Sequence, residues 1–162
     1  MNKDEIIRHY DRTRRRLFDA VTGLTEEQMR RRPTSEEWSV AEILAHLPVS
    51  ERRIRLQAST VCQRPGSEVT FLSEPEREEA AARAMELPPP ALIHDLVAAR
   101  RETLQFLEGL APSEFAKRGR HPQLGEMTVD LILGAISYHE REHAEQIERL
   151  REKLGAVGAA SG

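Results

Sequence analysis

Residues 128–154 read TVDLILGAISYHEREHAEQIERLREKL. Apolar side chains recur there at intervals of three and four, which predicts one long helix with a single buried face. Arginine and lysine in its last turns and Gly155 after them are typical of a helix C-terminus. The predicted inner row contains seven residues: Ile132, Ile136, His139, His143, Ile147, Leu150 and Leu154. Two histidines therefore occupy positions that isoleucine and leucine fill elsewhere in the row.

Three further segments show the same period, at about residues 3–22, 40–61 and 91–108. Capping boxes at Thr25–Gln28 and Ser39–Glu42 mark helix starts. The pair Ser73 and Glu76 predicts a short helix through about Met85. Pro48 lies inside the second long segment. We keep that helix and predict a bend just before Pro48, because an interior proline removes a backbone hydrogen bond.

No segment alternates convincingly between apolar and polar residues, so no strand is predicted. Four amphipathic helices joined by long connectors predict an all-α protein, a four-helix bundle. We expect a single domain at residues 1–154 and a disordered tail at 155–162, where small residues predominate.

The composition excludes several classes of protein. The chain has 162 residues, a net charge of -3 with 31% charged residues, and one cysteine, Cys62, so it forms no intrachain disulfide. No apolar run reaches the length of about 18 residues that spans a bilayer. We expect a cytoplasmic protein with no membrane and no nucleic-acid partner. Arginine triplets at 14–16 and 30–32 lie near acidic residues and are interpreted as solvated faces.

The string HEREH, residues 139–143, raises the question of a metal site. Histidines four apart on a helix lie one turn above each other, so both rings are able to reach one cation. The alternative is two core histidines, each with its own hydrogen-bond partner. HExxH also matches zinc peptidases, but acidic residues beyond His143 face away from the inner row and no strand would hold a peptide. The pair alone leaves metal binding and core packing both open.

A third histidine that reaches the same point would favour metal binding over core packing. His9 and His94 fall off the main stripes of their helices, and His121 lies in a connector. His46 lies on the second long helix beside Leu47, at the border of its buried row. It is the candidate that the helical pattern supports best.

Two stretches resemble the DinB/YfiT-like superfamily of four-helix metal-binding proteins, which is distinct from the DNA polymerase that shares the DinB name. They are EEWSVAEILAHLPVSE at 36–51 and HPQLGEMTVDLILGAISYHEREHAEQIERLR at 121–151. The resemblance implies a metal triad of His46, His139 and His143. Glu140 and Gln146 match further positions of the family's pattern. Gln146 lies about one turn beyond His143, so we expect a supporting hydrogen bond from its side chain.

The resemblance also implies a function. Family relatives include transferases and isomerases that use low-molecular-weight thiols, so we expect a divalent-metal-dependent enzyme acting on a small electrophilic substrate, either a thiol-dependent transferase or a hydrolase. The alternative is a non-catalytic metal-binding or stress-associated bundle. Nickel or zinc is the expected metal, with iron or manganese next, and a homodimer is a state that the resemblance allows. The roles of Glu140, Glu142 and Gln146 stay open, and Tyr10, Trp38 and Tyr138 are candidates to line a pocket.

Overall fold

The computed structural model describes residues 1–155 with their side chains, and beyond them only the backbone of the last helix. The bundle consists of four long helices with shorter elements between them, as predicted. The long helices are α1 Lys3–Val21, α3 Val40–Gln63, α5 Pro89–Glu108 and α6 Val129–Ser161. The shorter elements are α2 Glu26–Arg30, α4 Glu74–Ala82, β1 Arg118–His121 and β2 Gly125–Thr128. Short 3-10 turns follow α4 at Arg83–Met85 and precede β1 at Pro112–Ala116. Helix α6 continues past Gly155, so the helix end that the sequence predicted there was wrong. The disordered tail predicted for 155–162 stays a prediction, because most of these residues are described without their side chains.

The helix starts follow from local side-chain chemistry. The Thr25 and Ser39 hydroxyls accept hydrogen bonds from the backbone N–H groups of Gln28 and Glu42. In return, the side chains of Gln28 and Glu42 accept hydrogen bonds from the backbone N–H groups of Thr25 and Ser39. These two capping boxes confirm the predicted starts of α2 and α3. Helix α3 continues through Pro48, so the predicted helix is confirmed there, and the bend stays a prediction.

The bundle interior is divided into two apolar clusters with a polar layer between them. On α3, Leu47 belongs to one cluster and Ile54 to the other. On α6, the same boundary falls between Ile136 and Ala144. The residues between these limits include histidines and carboxylates that are buried at the same level. Because α3 packs against both α5 and α6, and α1 packs against α6, all four helices contribute side chains to this layer.

A two-stranded antiparallel hairpin precedes α6, and the prediction that the chain has no strand was wrong in this connector. Arg118 pairs with Thr128 and His121 with Gly125, where a positive φ of 78° closes the turn. The strands have only four residues each and are rich in charged side chains, so they lack the apolar alternation that marks a strand. Backbone hydrogen bonds from residues 66–69 to β1 fix the hairpin to the end of α3.

Within the part of the chain that the structure describes, no helix has the length and apolar character needed to span a membrane.

Candidate metal centre

Three of the six histidines meet in the polar layer. His46 comes from α3, and His139 and His143 come from α6. The Nε2 atom of His139 lies 3.2 Å from Nε2 of His46 and 3.0 Å from Nε2 of His143. One nitrogen from each of the three rings lies within 4.8 Å of the others. The structure thus brings together the three histidines that the sequence singled out.

The protonation of these nitrogens decides whether a cation fits. Nδ1 of His143 lies 2.8 Å from Oε1 of Gln146; with the amide oxygen as acceptor, the proton of neutral His143 is on Nδ1, which leaves a lone pair on Nε2. Nε2 of His139 has at most one proton, so it is able to donate to only one of its two neighbouring nitrogens. At least one close nitrogen pair therefore lacks a good hydrogen bond, and a shared cation would satisfy all three lone pairs.

The spacing of the nitrogens is also that of a metal site. Nitrogens about 2.0–2.1 Å from a tetrahedral zinc ion lie roughly 3.3 Å apart, close to the 3.0 and 3.2 Å measured here. Nδ1 of His139 lies 3.4 Å from the Ser50 hydroxyl. Nδ1 of His46 is buried and has no hydrogen-bond partner among the described residues. The donor set and its geometry therefore fit a divalent cation.

All three imidazoles are held neutral. Burial first, and the charges of neighbouring histidines second, lower the pKa of His46 to about 3 and that of His139 to about 2. Burial also lowers the pKa of His143, although the hydrogen bond with Gln146 acts in the opposite direction. Neutral imidazole is the form that binds metals, because the protonated ring has no lone pair to offer.

The triad opens into a cavity of about 590 Å³. Apolar side chains from the segment before α4, from the hairpin and from α3 form part of its wall, and Tyr138 lines it as predicted. The Trp38 ring packs against the ring of His46 with 5.1 Å between centroids. Tyr10 is not at this site: its buried hydroxyl donates to the Leu133 carbonyl at 2.8 Å. The open side of the triad is therefore accessible to a small molecule.

Glu142 and Gln146 line the cavity, whereas the carboxylate of Glu140 turns to α1 and α5. Glu140 accepts hydrogen bonds from Thr13 Oγ1 at 2.8 Å, Arg14 Nε at 2.9 Å and Arg100 Nη2 at 3.1 Å. Glu140, whose role the sequence left open, therefore does not line the cavity. Arg14 is likewise not on a solvated face, because its guanidinium pairs with a carboxylate that is 3% exposed.

Glu51 completes this buried cluster of two carboxylates and two guanidinium groups. Arg100 donates from Nε to Glu51 at 2.9 Å, and Arg14 reaches the same carboxylate at 3.5 Å. The sequence analysis missed Glu51, although a signal was present. Glu51 follows Leu47 by four residues and precedes Ile54 by three, so it occupies the buried row of α3.

The sequence of this chain is similar to those of known proteins. The family model of the DinB superfamily matches residues 9–147. A protein of Geobacillus kaustophilus, provisionally named a metal-dependent hydrolase, is 27% identical over 141 residues, which cover 86% of this chain and 78% of that protein.

Two solved structures share the fold. YfiT from Bacillus subtilis, a probable metal-dependent hydrolase with an unusual four-helix bundle topology, superposes with a TM-score of 0.77. It is 19% identical and covers 94% of this chain and 87% of its own. The mycothiol-dependent maleylpyruvate isomerase superposes with a TM-score of 0.74 at 11% identity, over 91% of this chain and 61% of its own. At these identities the likeness establishes the fold.

Proposed function

The chain belongs to the DinB superfamily, and from its histidine triad we propose that it is a metal-dependent enzyme. His46, His139 and His143 bind one divalent cation in this proposal. The observation that supports it most strongly is the convergence of three Nε2 atoms from two helices, spaced 3.0 and 3.2 Å apart, beside an open cavity.

Three protein ligands distinguish this site from a structural one. Structural zinc sites are closed by four protein ligands, whereas a site with three leaves a position for water or substrate. The all-imidazole set suits nickel or zinc, and iron is a further candidate. Manganese, which prefers oxygen donors, fits this set less well. A bound divalent cation would lower the pKa of a coordinated thiol or water, so that either is a nucleophile at neutral pH.

The surrounding residues hold the imidazoles in place. Gln146 accepts from Nδ1 of His143 and so directs the lone pair of that ring at the shared point. Trp38 packs on His46 and restricts the rotation of its ring. The Ser50 hydroxyl lies near the outer nitrogen of His139. These contacts preserve the geometry that a cation needs and contribute no ligand themselves.

The reaction we favour is transfer of a small thiol to a small electrophile. The neighbour with the same fold, an isomerase, is mycothiol-dependent, and the cavity has room for two small reactants. Its partly apolar wall, with Phe71, Leu72 and Met127, would cover the apolar part of a substrate. A cytoplasmic location and a homodimer belong to the same proposal.

Hydrolysis is the second candidate, because the Geobacillus relative and YfiT are both described as metal-dependent hydrolases. Glu142 would be the general base in that case, since it is exposed, lines the cavity and lies one residue before His143. The nearby Glu142 carboxylate raises the pKa of Tyr138, and both side chains line the cavity.

Metal titration tests the site. Apoprotein prepared with a chelator is titrated with Co²⁺, and the visible absorption of the ion is followed. We expect one equivalent to bind the wild-type chain and binding to be lost in His46→Ala and in His139→Ala. His94→Ala is the matched control, because His94 is an exposed histidine on α5. Stoichiometric Co²⁺ in His46→Ala would refute the triad.

Turnover separates the enzyme from a metal-binding bundle without activity. The metal-loaded protein is assayed with a panel of small thiols and chlorodinitrobenzene, and separately with p-nitrophenyl acetate. A thiol-dependent rate that disappears in His139→Ala supports the transferase, and ester cleavage without thiol supports the hydrolase. No metal-dependent rate with either panel would contradict both and favour the non-catalytic alternative.

A further inference from the structure

Two arginines beside the metal cavity suggest what kind of molecule enters it. We propose that Arg77 and Arg149 form an anion subsite, so that the molecule bound at the triad contains a carboxylate or a phosphate-like group in addition to its reacting atom. This inference rests on the proposed function, because it places the anion next to a bound metal.

The two arginines reach the same cavity from different helices. Arg77 lies on α4 and Arg149 on α6, and both line the cavity together with the three histidines. On α6 the lining residues recur at 138, 142, 145, 146 and 149, which is one continuous face of that helix. Arg149 therefore lies on the face that also contains Gln146, within a turn of the residue that holds His143.

Both arginines are exposed, and neither forms an ion pair with a carboxylate among the residues that the structure describes. Neither acidic residue of the cavity lining pairs with these arginines. Glu145 pairs with Arg16 at 3.1 Å, and Glu142 forms no ion pair among the described residues. The positive charge of the two guanidinium groups is therefore not neutralised by an ion pair, and a bound cation would add to it.

Arg77 is nevertheless held in position. Its guanidinium lies over the Trp38 ring, 5.6 Å from the ring centroid. The Trp38 indole N–H donates to Glu78 at 3.2 Å, and the same ring packs against His46. A cation–π contact orients a guanidinium without occupying its N–H donors.

This arrangement suits an oxyanion. A guanidinium presents its N–H donors in a planar fork that matches a carboxylate or phosphate with two parallel hydrogen bonds. A small acid would then be held at two points, with its reacting atom at the triad and its anionic group at the arginines. A neutral molecule of the same size would use only the first point.

Small thiols of similar size but different charge test the subsite through their binding affinities alone. The Co²⁺-loaded full chain is titrated under nitrogen with 2-mercaptoethanol, 3-mercaptopropionate and 2-mercaptoethylphosphonate, and the sulfur-to-cobalt charge-transfer absorption gives each dissociation constant. We expect the two anionic thiols to bind about three- to tenfold more tightly than the neutral one, the range that one or two exposed ion pairs provide. The preferred anion identifies the carboxylate or the phosphate-like group.

Arginine variants test whether these two residues cause the preference for anionic thiols. In Arg77→Gln and Arg149→Gln we expect the preference for anionic thiols to fall towards one, with the affinity for 2-mercaptoethanol unchanged. Arg101→Gln is the matched control, since it removes the same charge from an exposed position on α5 that is not part of the cavity lining. The Co²⁺ spectrum before thiol addition reports whether each variant still binds metal.

The outcomes separate the two proposals. Normal Co²⁺ binding with equal affinities for charged and neutral thiols, or a preference that survives both arginine substitutions, refutes the anion subsite and leaves the metal site intact. Absence of Co²⁺ binding by the wild-type chain refutes the proposed function, and the anion subsite falls with it.

Discussion

Replacing Glu140 with alanine is expected to lower the free energy of unfolding far more than replacing an ordinary surface glutamate. The Glu140 side chain is 3% exposed and accepts three hydrogen bonds, from Thr13, Arg14 and Arg100. Its removal leaves two guanidinium groups in the polar layer with only the carboxylate of Glu51 between them. Two buried cations would then share one counter-charge.

The size of the effect follows from the burial of this cluster. Removing one partner of a buried ion pair costs about 3–5 kcal/mol, because the remaining charge stays desolvated and uncompensated. Arg14 keeps a hydrogen bond to the Leu96 carbonyl and Arg100 keeps one to the Tyr10 carbonyl, so we expect a loss at the lower end, about 3 kcal/mol. Glu140→Gln preserves the size of the side chain and loses the charge, and its cost should be smaller.

Urea denaturation followed by far-UV circular dichroism measures these losses, with all variants metal-free. Glu108→Ala is the matched control: Glu108 forms an exposed ion pair with Lys3 at 3.4 Å, and such pairs contribute about 0–1 kcal/mol. The double variant Arg14→Met/Glu140→Met should lose less than the sum of the two single losses, because it removes opposite charges together. A loss below about 1 kcal/mol in Glu140→Ala would refute the view that this cluster is a buried, paired unit.

Three further predictions concern the triad and the hairpin. Gln146→Ala removes the acceptor for Nδ1 of His143 and should weaken metal binding about 10- to 100-fold, measured by chelator competition, with the urea midpoint nearly unchanged. Gly119→Ala would place a Cβ 2.6 and 2.7 Å from two valine methyl carbons and 2.9 Å from a backbone oxygen, so we expect a loss of about 1–3 kcal/mol, whereas an unchanged urea midpoint would contradict this packing. The apoprotein should lose stability as the pH falls from 6.5 towards 3, because the unfolded chain takes up protons that His46 and His139, with pKa values lowered to about 3 and about 2, do not accept when folded; urea midpoints at pH 7, 6 and 5 test this, and a weaker slope is expected in His46→Ala.

The sequence alone was sufficient for much of the fold and for the histidines. The period of α6 placed His139 and His143 on one inner row, and the capping box at Ser39 fixed the start of the helix that contains His46. These features are local, so they depend on spacing within one helix rather than on how helices meet. The family resemblance supplied the step from three separate histidines to a triad.

The buried charges could not be predicted in the same way. Glu140 follows His139 directly, and its direction depends on where α1 and α5 pack, which the period of α6 does not specify. Arg14 lies beside a buried row in a string of three arginines, and only the carboxylates of other helices draw it inward. The partners in this cluster are separated by 37 to 126 positions in the chain.

The hairpin was missed for a related reason. Its strands contain arginine, histidine and glutamate instead of an apolar alternation, and its stability comes from contacts outside it. Gly119 packs against Val61 and Val69, and Arg120 exchanges backbone hydrogen bonds with the segment of Ser67 to Val69. A strand that is specified by distant partners leaves little signal in its own residues.

Anomalous diffraction from crystals of the zinc-loaded protein tests the central claim most directly. We predict one zinc peak per chain, about 2.0–2.1 Å from Nε2 of each of His46, His139 and His143, with a remaining position facing the cavity. A zinc ion bound by the α6 pair while the His46 ring points elsewhere, or no zinc peak between these helices, would contradict it.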